Sequence, residues 1–272
     1  MTDSASCWRL IDTGLCSGME NMATDEALLH HFNPVLSRPV LRLYGWNPPA
    51  ISIGRFQKVA DIDIMRTSDD RLSIVRRITG GGAIFHADEL TYSIICSSND
   101  IPNASSVKKS FKSLTSFLLN FYRTLGLNAS YAVDEQLPEG SRLGERTALC
   151  YAGRESYDLL VNGCKIGGNA QRRLKNIIFQ HGSIPISGHL SEALLYIGKG
   201  SQHPCSSATS LEEEGVSISV EKLKKILVSC FEIQMGIRLE PDSLNHQEQT
   251  DACRLAHEKY ADEYWTMEGI AS

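Results

Sequence analysis

Residues 76–86 read RRITGGGAIFH, and this stretch decides how the rest of the chain is interpreted. Apolar, β-prone residues stand on both sides of three consecutive glycines, Gly80, Gly81 and Gly82. The pattern predicts two strands joined by a loop whose backbone approaches a ligand closely or adopts conformations closed to other residues. Arg76 and Arg77 beside the loop are suited to bind a carboxylate or a phosphate. A flexible hairpin with two solvated arginines explains the same residues equally well.

The glycine loop is not a nucleotide-binding P-loop, because no Gly-Lys-Ser/Thr follows it. His86 closes the stretch. It can orient a substrate, although a structural histidine is the simpler interpretation. From this stretch alone, a ligand-binding loop and a flexible hairpin therefore both stay open.

On either side of this loop, short apolar segments bounded by Gly, Pro and Asn predict strands, and longer segments with a helical period predict helices. The predicted strands are residues 40–44, 51–54, 72–78, 83–86, 90–96, 147–152, 157–161, 165–166 and 177–186. The predicted helices are residues 19–32, 111–125, 220–231 and 255–264. Asn162-Gly163 predicts a type I′ hairpin turn, because both central residues of that turn have positive φ. Together these segments predict an α+β protein.

Composition and charge restrict the classes of function. The 272 residues are 42% apolar and 22% charged, and the formal net charge is −5. A non-specific nucleic-acid binder normally carries a basic excess, so no nucleic-acid partner is expected. No apolar run approaches the roughly 18 residues of a membrane span, and no membrane contact is expected. The first ten residues lack the pattern of a signal peptide, which favours a cytoplasmic protein.

The eight cysteines are scattered, with no C-x-x-C pair, so neither a metal site nor a redox motif is expected. A reactive cysteine needs a nearby cation, because the thiolate is the nucleophile. Lys165 is a candidate for that cation. Its neighbour Cys164 must point to the opposite face of a strand, which argues against Cys164 as the nucleophile. By spacing alone, a solvated lysine and inert, buried thiols are favoured over a catalytic pair.

Six segments in collinear order resemble the biotin/lipoate protein ligase family. They are residues 21–26 (NMATDE), 51–57 (ISIGRFQ), 76–86 (RRITGGGAIFH), 89–93 (ELTYS), 165–173 (KIGGNAQRR) and 180–183 (QHGS). Within this family, Cys150, fifteen residues before Lys165, is similar to the cysteine of the octanoyltransferase branch of the LipM type. A second branch, the LipB type, has its cysteine later in the chain, where only Cys205 stands, in a polar loop.

The resemblance implies a mixed β-sheet flanked by helices, like the catalytic domain of class II synthetases and biotin ligases. Residues 1–200 are expected to form this catalytic domain, and residues 216–272 a helical C-terminal appendage packed on the same core. It also implies a reaction in which Cys150 forms a thioester with an octanoyl group and Lys165 is the partner of that thiolate. The residues expected to bind substrate are Arg76, Arg77, Gly80, Gly81, Gly82, His86, Gly167, Gly168 and Gly182.

The resemblance further implies the partners. The donor is octanoyl-acyl carrier protein, the acceptor is a lipoyl-accepting domain such as the glycine cleavage H protein, and no cofactor is needed. These partners are acidic, so a local basic surface is expected for docking, at Arg172 and Arg173 more than at the lysines of residues 108–112. Two alternatives stay open: an ATP-dependent lipoate–protein ligase, and a non-catalytic acyl-binding relative.

Overall fold

The computed structural model describes residues 6–135, 143–144, 155–197 and 208–269. The strands are β1 Cys7–Cys16, β2 Val40–Trp46, β3 Ala50–Ile53, β4 Ser73–Arg76, β5 Ile84–His86, β6 Glu89–Ser97, β7 Ala129–Tyr131, β8 Leu159–Val161, β9 Cys164–Ile166, β10 Gly168–Leu174, β11 Ile177–Pro185, β12 Ala208–Thr209 and β13 Arg238–Asp242. The α-helices are α1 Gly18–His30, α2 Ile64–Asp69, α3 Val107–Thr124, α4 Leu190–Tyr196, α5 Val220–Met235, α6 His246–Leu255 and α7 Glu263–Glu268. A single π-helical turn, Ala256–Tyr260, follows α6.

These strands form three sheets, which confirms the predicted α+β class. The largest has six strands in the order β10-β11-β6-β2-β1-β13, with parallel and antiparallel neighbours. The other two have the orders β12-β9-β8-β7 and β4-β3-β5. Helices α3 and α5 pack together over one core, and α1 and α6 pack together over another. No helix in the described ranges is long and apolar enough to span a bilayer.

Helix α1 starts where the sequence provides a capping box. The Ser17 hydroxyl accepts from the Glu20 amide at 3.3 Å, and the Glu20 carboxylate accepts from the Ser17 amide at 2.8 Å. The two contacts satisfy backbone donors that the first turn of a helix leaves unpaired. The helix then buries Met22, Ala23 and Leu29 against the large sheet, which also brings its polar residues to the interior.

The predicted hairpin turn is present. Asn162 and Gly163 have φ values of 51° and 76°, and they join β8 to β9. The turn sets the register, which places Leu160 opposite Lys165 and Val161 opposite Cys164. The predicted strand at residues 147–152, which includes Cys150, lies outside the described residues, as does Cys205.

The C-terminal part of the chain holds the helices α5, α6 and α7, with the short strand β13 between α5 and α6. β13 pairs in parallel with β1 at one edge of the six-stranded sheet, so the two ends of the chain meet in one layer. Helix α5 contributes Leu223, Leu227 and Phe231 to the core that α3 also lines. Residues 216–269 therefore complete the main core as well as packing on it.

Candidate active site

A pocket lies between the glycine loop and the large sheet. Small-molecule sites are concave and are lined mainly by apolar side chains with a few polar groups. The lining residues are Met22, Tyr44, Trp46, Ser52, Arg77, Gly81, Ile84, His86, Thr91, Gly168, Asn169, Ala170, His181, Gly182 and Ser183. The predicted residues Arg77, Gly81, His86, Gly168 and Gly182 are therefore brought together around one cavity.

The two adjacent arginines differ in what they contact. The Arg77 guanidinium donates to the Gly80 and Gly82 carbonyls at 2.9 and 2.7 Å, and to the Ser52 carbonyl at 3.0 Å. Arg77 thus holds the glycine loop in shape while it lines the pocket.

Arg76, predicted to bind substrate, uses its guanidinium elsewhere. Its Nε donates to Trp265 and Thr266 carbonyls, its Nη2 donates to the Met267 carbonyl, and its Nη1 donates to the Gly54 carbonyl at 2.8 Å. These contacts cap the C-terminal end of α7 and fix it to the loop after β3. The geometry gives Arg76 a structural role, because its donors are directed to backbone carbonyls of the buried interior.

Glycines are required where two backbones approach closely. A Cβ on Gly54 would lie 2.0 Å from the Gly81 carbonyl oxygen, so the glycine loop packs directly on the end of β3. Gly167 has φ of +86°, and a Cβ there would lie 2.2 Å from the Ser183 carbonyl oxygen. At Gly182 a Cβ would meet the Asn169 side chain at 2.0 Å. Gly167 and Gly182 therefore keep β10 and β11 close together beside the pocket.

A hydrogen-bonded network around Glu89 forms one wall. His86 Nδ1 lies 2.9 Å from the Glu89 carboxylate, and its Nε2 lies 2.7 Å from the Ser52 hydroxyl. The Ser183 hydroxyl donates to the other Glu89 oxygen at 2.7 Å, and Thr91 also donates to the carboxylate. Burial by itself raises the pKa of the Glu89 carboxyl, but His86 and the two hydroxyls outweigh it, and the pKa lies below its ordinary value.

A second network surrounds Asp25. Its carboxylate accepts from Arg42 at 2.7 Å, from Ser93 at 2.7 Å and from Tyr44 at 2.9 Å. Burial opposes ionisation of Asp25, but Arg42 together with His181 and Ser93 lowers the pKa below its ordinary value. The carboxylate is therefore ionised and fully paired behind the pocket.

His181 connects the Asp25 network to the glycine loop. Its Nε2 lies 2.7 Å from the Thr79 hydroxyl and its Nδ1 lies 3.8 Å from Asp25. Burial, the largest cause, lowers the pKa of His181, and Asp25 opposes that shift only in part. The imidazole is accordingly neutral at pH 7.

These networks leave the cavity with largely apolar faces. The polar atoms of the wall bond to one another, and the His86 ring stacks on Trp46 with centroids 3.8 Å apart and planes within 10°. Met22, Trp46 and Ile84 present apolar surface to the cavity. Because buried polar groups that are already paired do not require water, the pocket is suited to an alkyl chain.

Lys165 is buried and ion-paired. Its Nζ donates to Asp158 Oδ2 at 2.6 Å, and each side chain is 3% exposed. The strand alternation directs the partly exposed Cys164 to the other face of β9, as the spacing predicts. Cys150, the predicted nucleophile, lies outside the described residues.

Several residues of the site were not predicted as functional. Asp158 precedes the apolar run of β8, and the Asn162-Gly163 turn places it on the same face as Lys165. That register was a usable signal, because diagonal residues of a hairpin lie within reach of a long side chain. Asp25 and His181 lie in segments 21–26 and 180–183, which carry the family resemblance. No local pattern places them at the pocket, because only the tertiary fold brings them there.

Comparisons with known proteins identify the family. The protein-family model described as "Lipoyl protein ligase A/B catalytic domain" matches residues 17–232 of the chain. The curated octanoyltransferase LipM of Halalkalibacterium halodurans is 35% identical over 276 residues, covering 96% of this chain and 98% of its own. Octanoyltransferase LipM of Bacillus subtilis is 34% identical over 271 residues, covering 95% of this chain and 97% of its own.

Solved structures share the fold. A lipoate-protein ligase A bound with ATP superimposes with a TM-score of 0.80 at 23% identity, covering 97% of this chain and 99% of its own. A bi-partite lipoate protein ligase from Thermoplasma acidophilum, described with its E2 lipoyl domain, gives a TM-score of 0.79 at 21% identity, covering 97% and 98%. The family match and the near-full-length relatives together show that the chain belongs to the lipoyl protein ligase A/B catalytic domain family.

Proposed function

We propose that this chain is an octanoyltransferase of lipoate biosynthesis, which moves an octanoyl group to a lysine of a lipoyl-accepting protein domain. The observation that carries the proposal is the 34–36% identity, over nearly the whole length, to curated octanoyltransferases. The presence of Cys150 fifteen residues before a buried, ion-paired Lys165 supports it.

In the proposed mechanism, the Cys150 thiolate attacks the carbonyl carbon of the donor thioester. The bond from that carbon to the carrier sulfur breaks, the carrier leaves as a thiolate that takes up a proton, and the octanoyl group stays on Cys150. The neutral amine of the acceptor lysine then attacks the same carbon. An amide forms, the amine loses a proton, and the Cys150 thiolate is released. The nucleophile splits one transfer into two easier steps.

Lys165 supplies positive charge to this chemistry. An ammonium near the reacting atoms favours the thiolate and stabilises the oxyanion that develops on the carbonyl oxygen. Lys165 stands two residues before Gly167 and three before Gly168, and Gly168 lines the pocket. The carbonyl carbon would therefore lie at the Gly168 end, and the alkyl chain would extend toward Trp46 and His181.

The proposed donor is octanoyl-acyl carrier protein, and the proposed acceptor is a lipoyl domain or the glycine cleavage H protein. The Thermoplasma relative has an E2 lipoyl domain as its partner, which is the same class of acceptor. No cofactor is required, because the donor thioester already carries the activation.

The test combines purified protein, octanoyl-acyl carrier protein and a lipoyl domain without ATP. We expect octanoylation of the acceptor lysine, detected as a gain of one octanoyl group in the acceptor mass. Product formation that requires ATP and free lipoic or octanoic acid, with release of pyrophosphate, would instead identify a ligase. Tight acyl binding without either product would identify a non-catalytic relative.

A further inference from the structure

The carboxylate of Asp158 contacts two separate parts of the candidate site. Its Oδ2 accepts from Lys165 Nζ at 2.6 Å and from the backbone amide of Glu155 at 2.7 Å. Glu155 is the first described residue after the segment that contains Cys150, and it stands five residues after that cysteine. One carboxylate oxygen thus holds both the candidate cation and the backbone of the turn that begins at Glu155.

The position of Asp158 is itself fixed by the backbone. The Asp158 amide donates to the Glu155 carbonyl at 3.1 Å, which closes the turn from the other side. The Asp158 carbonyl accepts from Ala132 at 2.9 Å, and the Ser156 carbonyl accepts from Val133 at 3.0 Å, so the turn is fastened to the chain after β7. The carboxylate therefore cannot follow a moving lysine, and the lysine is held to the carboxylate.

Stability alone does not explain this pair. Desolvation of two buried charges offsets most of their attraction, and apolar residues of similar volume usually stabilise a fold at least as well. Asp158 directly precedes β8 and lies diagonally across the hairpin from Lys165 on β9. The pair therefore holds Lys165, the proposed partner of the nucleophile, in a defined place.

Building on the proposed function, we infer that Asp158 is a positioning residue that holds the Lys165 ammonium, charged and in one orientation. An ammonium has three N–H donors, and Asp158 takes one of them along a fixed direction. The lysine then meets the developing oxyanion without reorganising, which is the condition under which such a donor is effective. The pair carries no net charge, so its effect on the reaction acts at short range.

The variant Asp158→Asn tests the inference. The asparagine has nearly the same volume and its Oδ1 still accepts from Glu155, but the counter-charge is lost. A buried ammonium without a counter-charge favours its neutral form. We expect kcat to fall by about 10²-fold, the size of effect seen when one oxyanion donor is lost. The KM for the carrier-bound donor should hardly change, and the alkaline limb of the kcat profile should move to lower pH.

Two further variants separate positioning from simple stability. Asp158→Glu keeps the charge on a longer side chain and should recover part of kcat and the parental pH profile. Glu26→Gln is the matched control, because it removes a carboxylate from a different lysine–carboxylate ion pair. In that pair the Lys259 Nζ lies 2.6 Å from the Glu26 carboxylate, the same distance as between Lys165 and Asp158. That control should lower the melting temperature without moving the pH profile.

The outcomes distinguish this inference from the proposed function. Parental kcat and pH profile in Asp158→Asn, with transfer intact, would overturn the positioning role and leave the transferase standing. A lower melting temperature of Asp158→Asn with an unchanged kcat per folded molecule would also overturn the positioning role and leave the transferase standing. A parent protein that transfers no octanoyl group would overturn the proposed function itself.

Discussion

The two ends of the candidate site are held in different ways. At the wall, Asp25 and Glu89 each accept three or more hydrogen bonds from side chains of several strands of the fold. At the proposed reacting end, Lys165 lies on β9 and its ion-pair partner Asp158 directly precedes β8, in a hairpin of two three-residue strands. The difference shows that the cavity wall is shaped by several strands of the fold, whereas Lys165 is paired within one short hairpin. Substitutions at the two ends should therefore fail in different ways.

The largest effect is expected at the reacting end, from Cys150→Ala. Removal of the nucleophile should lower transfer by at least about 10³-fold, because the covalent step is lost. Cys164→Ala is the control, since Cys164 lies on the opposite face of β9 from Lys165 and should leave transfer near the parental rate. Initial rates with the carrier-bound donor measure both. A Cys150→Ala protein with near-parental rates would exclude the thioester mechanism.

The next prediction separates chemistry from stability at Lys165. Lys165→Met leaves the Asp158 carboxylate buried without the ammonium, which should cost about 3–5 kcal/mol of unfolding free energy and abolish most transfer. The double variant Lys165→Met/Asp158→Leu removes both charges and should recover most of that free energy, but no activity. Urea unfolding and transfer rates give the two readouts. Recovery of transfer in the double variant would show that Lys165 acts only through folding.

A smaller effect concerns docking, for which we propose a surface that includes Lys108 and Lys112 in place of Arg172 and Arg173. The Arg172 guanidinium donates to the Ile78 carbonyl at 3.4 Å. The Arg173 guanidinium donates to the Ala104 carbonyl at 2.6 Å. Both side chains therefore support the fold. Lys108 and Lys112 are exposed. Their ammonium groups lie 5.6 and 5.4 Å from the centroid of the Tyr157 ring. Tyr157 precedes Asp158 in the sequence. The two lysines therefore lie near Tyr157, the residue before Asp158, which is the ion-pair partner of Lys165.

Reversal of Lys108 and Lys112 to Glu should raise the KM for an acidic, carrier-bound donor roughly tenfold, because surface charges act mainly on association. A small octanoyl thioester, which needs no docking, should react at the parental rate. Lys222→Glu/Lys225→Glu on α5 is the matched control on another exposed helix face. Reversal of Arg172 and Arg173 should impair both donors alike. Equal losses with both donors in the Lys108 and Lys112 variant would place the docking surface elsewhere.

The smallest effect is expected at the wall, from the titration of His181. Burial lowers its pKa, with Asp25 opposing, so the unfolded chain binds a proton that the folded protein does not. The contribution of neutral His181 to the free energy of unfolding is present above the pKa of histidine in the unfolded chain, about 6.5. It is lost as the pH falls through the lower pKa of His181 in the folded protein. The parent should therefore lose more unfolding free energy between pH 8 and pH 5 than His181→Gln. Identical losses would mean that His181 titrates normally.

The comparison also explains which elements could be predicted from the sequence. The interior strands β2, β6 and β11 are apolar runs, and their periodicity predicts them. The edge strands β10 and β13 read GNAQRRL and RLEPD, and such polar segments have no strand signature. The sequence does not predict β1, because its pairing register with β2 shifts between Asp12 and Gly14. The shift breaks the alternation of apolar and polar residues that marks a strand. The pairing of β1 with β13 joins distant parts of the chain, so no local pattern reveals it.

The same limit applies to the site. The glycine loop and the Asn162-Gly163 turn before Lys165 are local sequence patterns. In the structure Gly81, Asn162 and Gly163 have positive φ, and Lys165 lies on the strand after the turn, as the sequence predicts. Arg76 could not be distinguished from Arg77 by sequence, because its contacts with the α7 carbonyls arise only when residues nearly two hundred positions apart meet. The networks around Asp25 and Glu89 depend on the same long-range packing.

The central claim is that an octanoyl group rests on Cys150 during transfer. The most direct measurement is the intact mass of the protein after mixing with octanoyl-acyl carrier protein, without acceptor and without ATP, followed by peptide mapping. The account predicts a gain of one octanoyl group on the peptide containing Cys150, removed by hydroxylamine and absent from Cys150→Ala. Transfer to an acceptor with no such adduct, or an adduct on another cysteine, would contradict it.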